Sequence, residues 1–156
     1  MRRKRQYFEW SPGEPAPLSC TVTRRLCFSE VDAMAVAWHG RYLEFFEAAH
    51  TELMHKAGLD YKVYRAEGLA APMVQSHVDY FQPLRLDEIF AVEAKLFWSD
   101  GARLDVAYRI EKENGVLAAS GFTVQMFVRW PDGEPFVTEP DLIVRFKERW
   151  RKGEIQ

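Results

Sequence analysis

The sequence predicts an α+β domain in which one antiparallel sheet of five strands curls around a single long helix. Two observations predict this class. Apolar residues recur at helical spacing over residues 41–57, and residues alternate with a period of two over 90–98 and 103–111. One helix followed by strands joined through short turns is the order of an antiparallel sheet with the helix on its apolar face.

The predicted helix runs from Arg41 to Ala57. Its apolar stripe comprises Tyr42, Phe45, Phe46, Ala49, Leu53 and Ala57. Leu43 and Met54 lie beside this stripe, so the apolar surface is wide enough to be wrapped by a sheet. The helix is expected to end at Gly58, because glycine readily adopts the left-handed conformation that ends helices. At a rise of 1.5 Å per residue the helix would span about 25 Å, comparable to a curled sheet.

Five segments have the pattern of strands. They are 18–28, 72–81, 90–98, 104–111 and 116–128, with turns at Ser99-Asp-Gly101 and Asn114-Gly115. The small residues 118–121 predict close packing or a bulge in the last strand. A terminal helix is expected over 140–150. Residues 1–17 form a basic and proline-rich tail, and 18–156 form one domain.

The composition excludes several classes of function. The chain has 156 residues and a formal net charge of −2, so no global field would recruit nucleic acid. The basic cluster at residues 1–5 is expected to be a solvated tail. No apolar run is long enough for membrane insertion or secretion, so a cytoplasmic protein is expected. Cys20 and Cys27 lack the spacing of a metal site, and no metal or cofactor is predicted.

Asp32 stands a short distance ahead of the predicted helix. A helix N-terminus carries unpaired N–H groups and a positive partial charge, so it can hold a developing oxyanion while a nearby acid supplies attack or proton transfer. The alternative is that Asp32 caps the helix. A cap immediately precedes its helix, however, and Asp32 lies too far upstream of a helix that begins at His39 or Gly40.

The residues around Asp32 resemble a family motif. Asp32, Val36 or Ala37, His39, Tyr42, Leu43, Phe45, Phe46 and Glu47 match the pattern of the 4-hydroxybenzoyl-CoA thioesterase-like acyl-CoA thioesterases, which have the hotdog fold. Residues 83–87 match that family's Pro-x-Arg-x-Asp stretch. Two positions depart from the pattern, because Met34 and Ala35 stand where the family has glycine. The resemblance covers most of residues 18–128.

The resemblance implies hydrolysis of an acyl-CoA or acyl carrier protein thioester, with CoA present only as part of the substrate. Asp32 would act as the nucleophile or as the general base, and the backbone N–H of His39 would polarise the carbonyl. The family assembles as a homodimer or homotetramer, so each site would combine Asp32 of one subunit with strand residues of another. The candidate substrate-binding residues are Met34, Ala35, Trp38, Ser76, His77, Arg85 and Arg103.

Two other functions remain open from the sequence. A hotdog dehydratase or lyase would need a histidine and an acid at the substrate's α and β carbons, for which His39 and Glu47 are the nearby candidates. A non-catalytic acyl-CoA binding or sensing module is compatible with the missing glycine at Ala35. The length and aromaticity of the acyl group cannot be deduced from local patterns.

Overall fold

The computed structural model of the protein describes residues 6–155, so the basic cluster at residues 1–5 lies outside the described part. Five strands form one antiparallel sheet. They are β1 (Leu18–Arg25), β3 (Met73–Tyr80), β4 (Ile89–Phe97), β5 (Arg103–Lys112) and β6 (Leu117–Met126), in the order β1-β4-β5-β6-β3. The predicted α+β hotdog class is confirmed.

Helix α1 (Tyr42–Ala57) packs against the inner face of this sheet. All six residues of the predicted stripe are buried, and Met54 is buried with them, whereas Leu43 is exposed. Gly58 ends the helix in the left-handed conformation, with φ of 70°. The helix boundary and the buried face predicted from spacing are therefore confirmed.

Helix and sheet approach each other closely at Gly121. A Cβ there would lie 2.1 Å from the carbonyl oxygen of His77 and 2.6 Å from Phe46 Cε2. Phe46 in turn stacks on Tyr108, with ring centroids 4.4 Å apart and planes at 7°. The predicted close packing is confirmed, and a bulge is also present where β5 shifts register against β6 near Ala118.

Two further helices and a small sheet complete the fold. A second helix, α2 (Tyr61–Ala66), begins after Asp60, whose side chain accepts from the N–H groups of Lys62 and Val63. Strands β2 (Leu69–Ala70) and β7 (Val128–Arg129) form a small sheet. Neither α2 nor this small sheet was expected. The predicted terminal helix is α3 (Asp141–Arg151).

The outer face of the sheet is covered in part by the beginning of the chain. The hydroxyl of Tyr7 donates to Asp79 Oδ2 at 2.7 Å and lies 2.7 Å from Ser120 Oγ. Phe8 packs edge-on against Phe122, with ring centroids 5.6 Å apart. The described part of the predicted tail therefore packs on the sheet.

Strand β3 is an edge of the five-stranded sheet. Met73, Val74 and Tyr80 are each about half exposed, although β3 is a full strand of eight residues. An exposed edge of this length presents unpaired backbone N–H and C=O groups that can pair with another strand. Within residues 6–155, no helix is long and apolar enough to cross a membrane.

Candidate active site

The loop that carries Asp32 is a tight hairpin. The Asp32 N–H donates to the Val36 carbonyl at 2.9 Å, and the Ala35 N–H donates to the Asp32 carbonyl at 3.0 Å. Ala35 has a φ of 59°. A turn followed by one left-handed residue is the usual form of a three-residue hairpin loop, and glycine is the residue that adopts this conformation most readily. The loop keeps this form with alanine, at a conformational cost of about 1 kcal/mol.

The Asp32 side chain is half-buried and does not cap a helix. Its Oδ1 accepts from the Met34 N–H at 2.8 Å, and within residues 6–155 its Oδ2 accepts no hydrogen bond. Helix α1 has Arg41 at its N-cap position, without a side-chain cap. The prediction that Asp32 stands too far upstream to cap the helix is confirmed. One carboxylate oxygen is fixed by the turn and the other is available for chemistry.

Glu30 anchors the hairpin to the protein. Glu30 is buried, its carboxylate pairs with Arg24 at 2.7 Å, and the same carboxylate accepts from the Cys27 N–H at 2.8 Å. Its carbonyl accepts from the Trp38 N–H at 2.9 Å. On the other side, the Ala37 N–H donates to the Leu84 carbonyl at 2.8 Å. The loop is therefore held from two sides.

A single helical turn, His39–Arg41, joins the hairpin to α1. The N–H groups of His39 and Gly40 open this turn, and neither donates to an acceptor among the described residues. Unpaired N–H groups at a helix start attract a partial negative charge. The hydroxyl of Tyr80 donates to the His39 carbonyl at 2.9 Å. A cleft of about 240 Å³ lies here, lined in part by His39, Tyr42 and Tyr80.

Most of the predicted substrate-binding residues of the loop lie together. Met34 is 75% exposed at the hairpin, and Trp38 is exposed with its ring 5.1 Å from that of His39. Arg85 is exposed and its backbone pairs with Val36. Met34 and Ala35 thus lie in the hairpin of Asp32, Arg85 lies beside it, and Trp38 adjoins the helical turn.

The predicted strand residues lie apart from this loop. Ser76 pairs with Thr123, a residue of the inner face, and so faces the helix side. His77 stacks on Phe122, at 5.5 Å between centroids, on the outer face. Arg103, at the start of β5, binds Asp105 at 2.6 Å at the opposite end of the sheet from the loop.

Two polar residues of α1 lie on different faces of the helix. The side chain of Glu47 is exposed, whereas His50 is buried against the sheet. His50 Nδ1 and the Tyr108 hydroxyl share a hydrogen bond of 2.9 Å, and that hydroxyl is 2.9 Å from Thr123 Oγ1. Burial lowers the pKa of His50 to about 4. His50 is therefore neutral at physiological pH.

Sequence reasoning also missed Gln125. This residue of β6 is 4% exposed and faces a cavity of about 210 Å³ beside His50. His50 had a detectable signal, because it lies four residues after Phe46 on the buried stripe. Gln125 had none, because a polar residue in a strand is usually expected to face solvent.

Comparisons with known proteins identify the family. Residues 27–146 match the model of the thioesterase-like superfamily. The chain belongs to that superfamily. The matched region contains the Asp32 hairpin, the helix start and the whole of α1, β3, β4, β5 and β6.

Individual relatives agree with this assignment. The acyl-CoA thioester hydrolase YbgC of Escherichia coli is 23% identical over 124 residues, which cover 80% of this chain and 92% of the relative. The acyl-CoA thioesterase YbgC of Haemophilus influenzae is 28% identical over 95 residues, 60% of this chain and 70% of the relative. The structure of a DHNA-CoA thioesterase from Staphylococcus aureus superposes with a TM-score of 0.77 at 23% identity, covering 87% of this chain and 91% of that one. That last likeness supports the hotdog fold.

Proposed function

We propose that the protein hydrolyses acyl-CoA thioesters to a free acid and CoA. The observation that carries this proposal is the arrangement at the start of α1. Asp32 presents one uncommitted carboxylate oxygen, and the His39 and Gly40 N–H groups have no protein acceptor among the described residues. The names of the E. coli and H. influenzae relatives give the substrate class.

In the proposed reaction the thioester carbonyl oxygen accepts a hydrogen bond from the His39 N–H. Asp32 Oδ2 either takes a proton from an attacking water or attacks the carbonyl carbon itself. The C–S bond then breaks, and CoA leaves as the thiolate and takes up a proton. In the general-base route the attacking water supplies the new oxygen of the acid. In the nucleophilic route an anhydride forms between the acyl group and Asp32, and water then hydrolyses it to release the acid. The helix start stabilises the negative charge that develops on the carbonyl oxygen.

The proposed active unit is a homodimer formed through the edge strand β3. Two antiparallel copies of β3 would satisfy the exposed backbone groups and bury the half-exposed Met73, Val74 and Tyr80. Each site would then combine the Asp32 loop of one subunit with strand residues of the other.

Thiol release from acyl-CoAs of short, medium, long and aryl chains tests the proposal. The wild type should release CoA from at least one of them, and Asp32→Asn should lower kcat by at least about 100-fold while keeping the fold. Asp132→Asn is the matched control, because Asp132 is an exposed residue of another turn. Binding without turnover would instead identify a sensing module. Hydration of crotonyl-CoA would identify a lyase.

The same assay run with acyl carrier protein thioesters separates the two carriers. A single turnover in ¹⁸O-labelled water separates the two roles of Asp32. General-base catalysis places the label in the released acid, whereas nucleophilic attack leaves it in the Asp32 carboxylate if water opens the anhydride at the enzyme's carbonyl.

A further inference from the structure

The residues that precede β1 lie outside the family match, which covers residues 27–146. Residues 6–8 of this segment lie against the outer face of the five-stranded sheet, and we call them the cover. A turn follows, in which the Glu14 N–H donates to the Ser11 carbonyl at 3.1 Å. The chain then enters β1 at the edge of the sheet. The cover is therefore a feature of this chain that the family match does not include.

Phe8 fills an apolar depression in the outer face. Its ring centroid lies 5.8 Å from that of Phe97 on β4 and 5.6 Å from that of Phe122 on β6. Ala107 stands on β5, the strand between them, and pairs directly with Phe122, so all three residues share one face. The short side chain of Ala107 leaves room for the Phe8 ring. Without Phe8, the sheet would expose an apolar patch that spans three strands.

Tyr7 anchors the cover to the sheet a second time. Its hydroxyl donates to Asp79 Oδ2 of β3 at 2.7 Å and lies 2.7 Å from the Ser120 hydroxyl of β6. Its ring centroid is 5.2 Å from that of Phe122. The two aromatic residues of the cover thus contact β4, β6 and β3. Because packed sheets lie about 10 Å apart, the cover occupies the layer in which a second sheet would have to pack.

The outer faces of β4 and β5 suit a second copy of themselves. Their charged residues form three ion pairs, each along one strand, namely Glu93 with Lys95, Asp105 with Arg103 and Glu111 with Arg109. Three acids and three bases leave these two faces without net charge. Two copies related by a two-fold rotation can therefore set acids of one against bases of the other. Self-complementary surfaces of this kind form the interfaces of symmetric assemblies.

We propose that the outer face of the sheet is a surface that binds a second copy of this chain, and that the cover blocks this surface. In the wild type the cover fills the apolar depression and keeps two sheets from reaching packing distance. Release of the cover allows two copies to pack face to face through β4, β5 and β6. The proposal goes beyond the proposed function, because neither thioester hydrolysis nor pairing through β3 depends on it.

Sedimentation velocity tests the proposal with the double variant Tyr7→Ala/Phe8→Ala, which removes both anchors of the cover. The molecular mass of this variant should be twice that of the wild type. Gln6→Ala/Glu9→Ala is the matched control, because it truncates the two exposed side chains that flank the anchors, and it should keep the wild-type mass. The doubling is expected whether β3 pairing makes the wild type a dimer or fails and leaves it a monomer. The result is therefore independent of the proposed function.

Ala107→Glu identifies the surface that the released copies use. Added to Tyr7→Ala/Phe8→Ala, it would place a carboxylate between the two sheets and should restore the wild-type mass. A doubled mass that persists with Ala107→Glu overturns the proposal, because another surface would then be responsible. An unchanged mass of the folded double variant overturns it as well. A wild type whose mass is halved by Ala107→Glu alone contradicts the blocking role of the cover.

Circular dichroism establishes whether the double variant is folded. If it is not, Phe8→Ala alone, which keeps the hydrogen bonds of Tyr7, replaces it, with Glu9→Ala as the control. The mass of Phe8→Ala should then rise with protein concentration while that of Glu9→Ala stays constant. Equal masses of these two single variants at every concentration would overturn the proposal.

Discussion

Tyr80 on the edge strand donates its hydroxyl to the carbonyl oxygen of His39 at 2.9 Å, while its ring meets that of Tyr42 edge-on at 4.8 Å. One side chain therefore ties β3 to both the first helical turn and the first residue of α1. Because the free N–H groups belong to that same turn, Tyr80 controls where they point.

Tyr80→Phe should lower kcat by about tenfold, because without the hydrogen bond to His39 the helical turn positions the carbonyl of the substrate less well. The free energy of unfolding should fall by about 1 kcal/mol, the usual loss for one hydrogen bond. Thiol-release kinetics and urea denaturation measure the two effects. Tyr7→Phe is the control: it removes a hydroxyl on the outer face and should lower the free energy of unfolding without lowering kcat. Equal losses of kcat in both variants would contradict the role of the Tyr80–His39 hydrogen bond.

Ala35→Gly should relieve the left-handed backbone at the hairpin. The gain of about 1 kcal/mol from removing the Cβ is partly offset by the greater freedom of glycine in the unfolded chain. In Ala33→Gly, at a neighbouring position without positive φ, only the entropic cost applies. Urea denaturation should therefore find Ala35→Gly more stable than Ala33→Gly by about 1 kcal/mol. Equal stabilities would show that the turn is not strained.

The buried His50 should make stability depend on pH. Its folded pKa of about 4 is below the ordinary 6.5, so between these values the unfolded chain binds a proton that the folded chain excludes. The contribution of neutral His50 to the free energy of unfolding is fully present above pH 6.5. It is lost as the pH is lowered toward 4, and the loss is roughly 3 kcal/mol at 1.36 kcal/mol per pKa unit. Denaturation of His50→Gln should show a flatter pH profile. His55→Gln, at an exposed site, should keep the wild-type slope.

Charge at the centre of β3 should dissociate the proposed dimer. Two lysines introduced by Ser76→Lys would face each other across the symmetry axis, and like charges directly opposite destabilise strand pairing. Sedimentation velocity should show a monomer, and kcat should fall with it. Thr21→Lys places the same charge on β1, the other edge strand, and should leave the dimer intact. A dimeric and active Ser76→Lys would contradict pairing through β3.

The central helix and the sheet were predictable because each follows a simple periodic pattern of apolar residues. The stripe from Tyr42 to Ala57 fixes which face of α1 is buried, and Gly58 marks its end by local conformation alone. Asp32 could be recognised as separate from the helix by counting residues. These features depend on neighbours within a few positions in the chain.

Other features depend on contacts between distant residues. Nothing near Tyr80 in sequence indicates that its hydroxyl reaches His39, 41 positions away. Gln125 has the pattern of an ordinary strand residue, and only the approach of α1 and α2 encloses it. The short helix α2 is an intermediate case, since Asp60 is a good N-cap, but six residues give too little periodicity to detect.

Gly121 cannot be replaced by a larger residue without a shift of the neighbouring backbone. A Cβ at this position would lie 2.1 Å from the His77 carbonyl oxygen and 2.6 Å from the Phe46 ring, so the close approach of helix and sheet requires a residue without a side chain. Enlarging that residue would lift α1 and carry with it both the helical turn at one end and the His50 cavity at the other. The separation of helix and sheet, and with it the geometry at both ends of α1, therefore depends on position 121 remaining glycine.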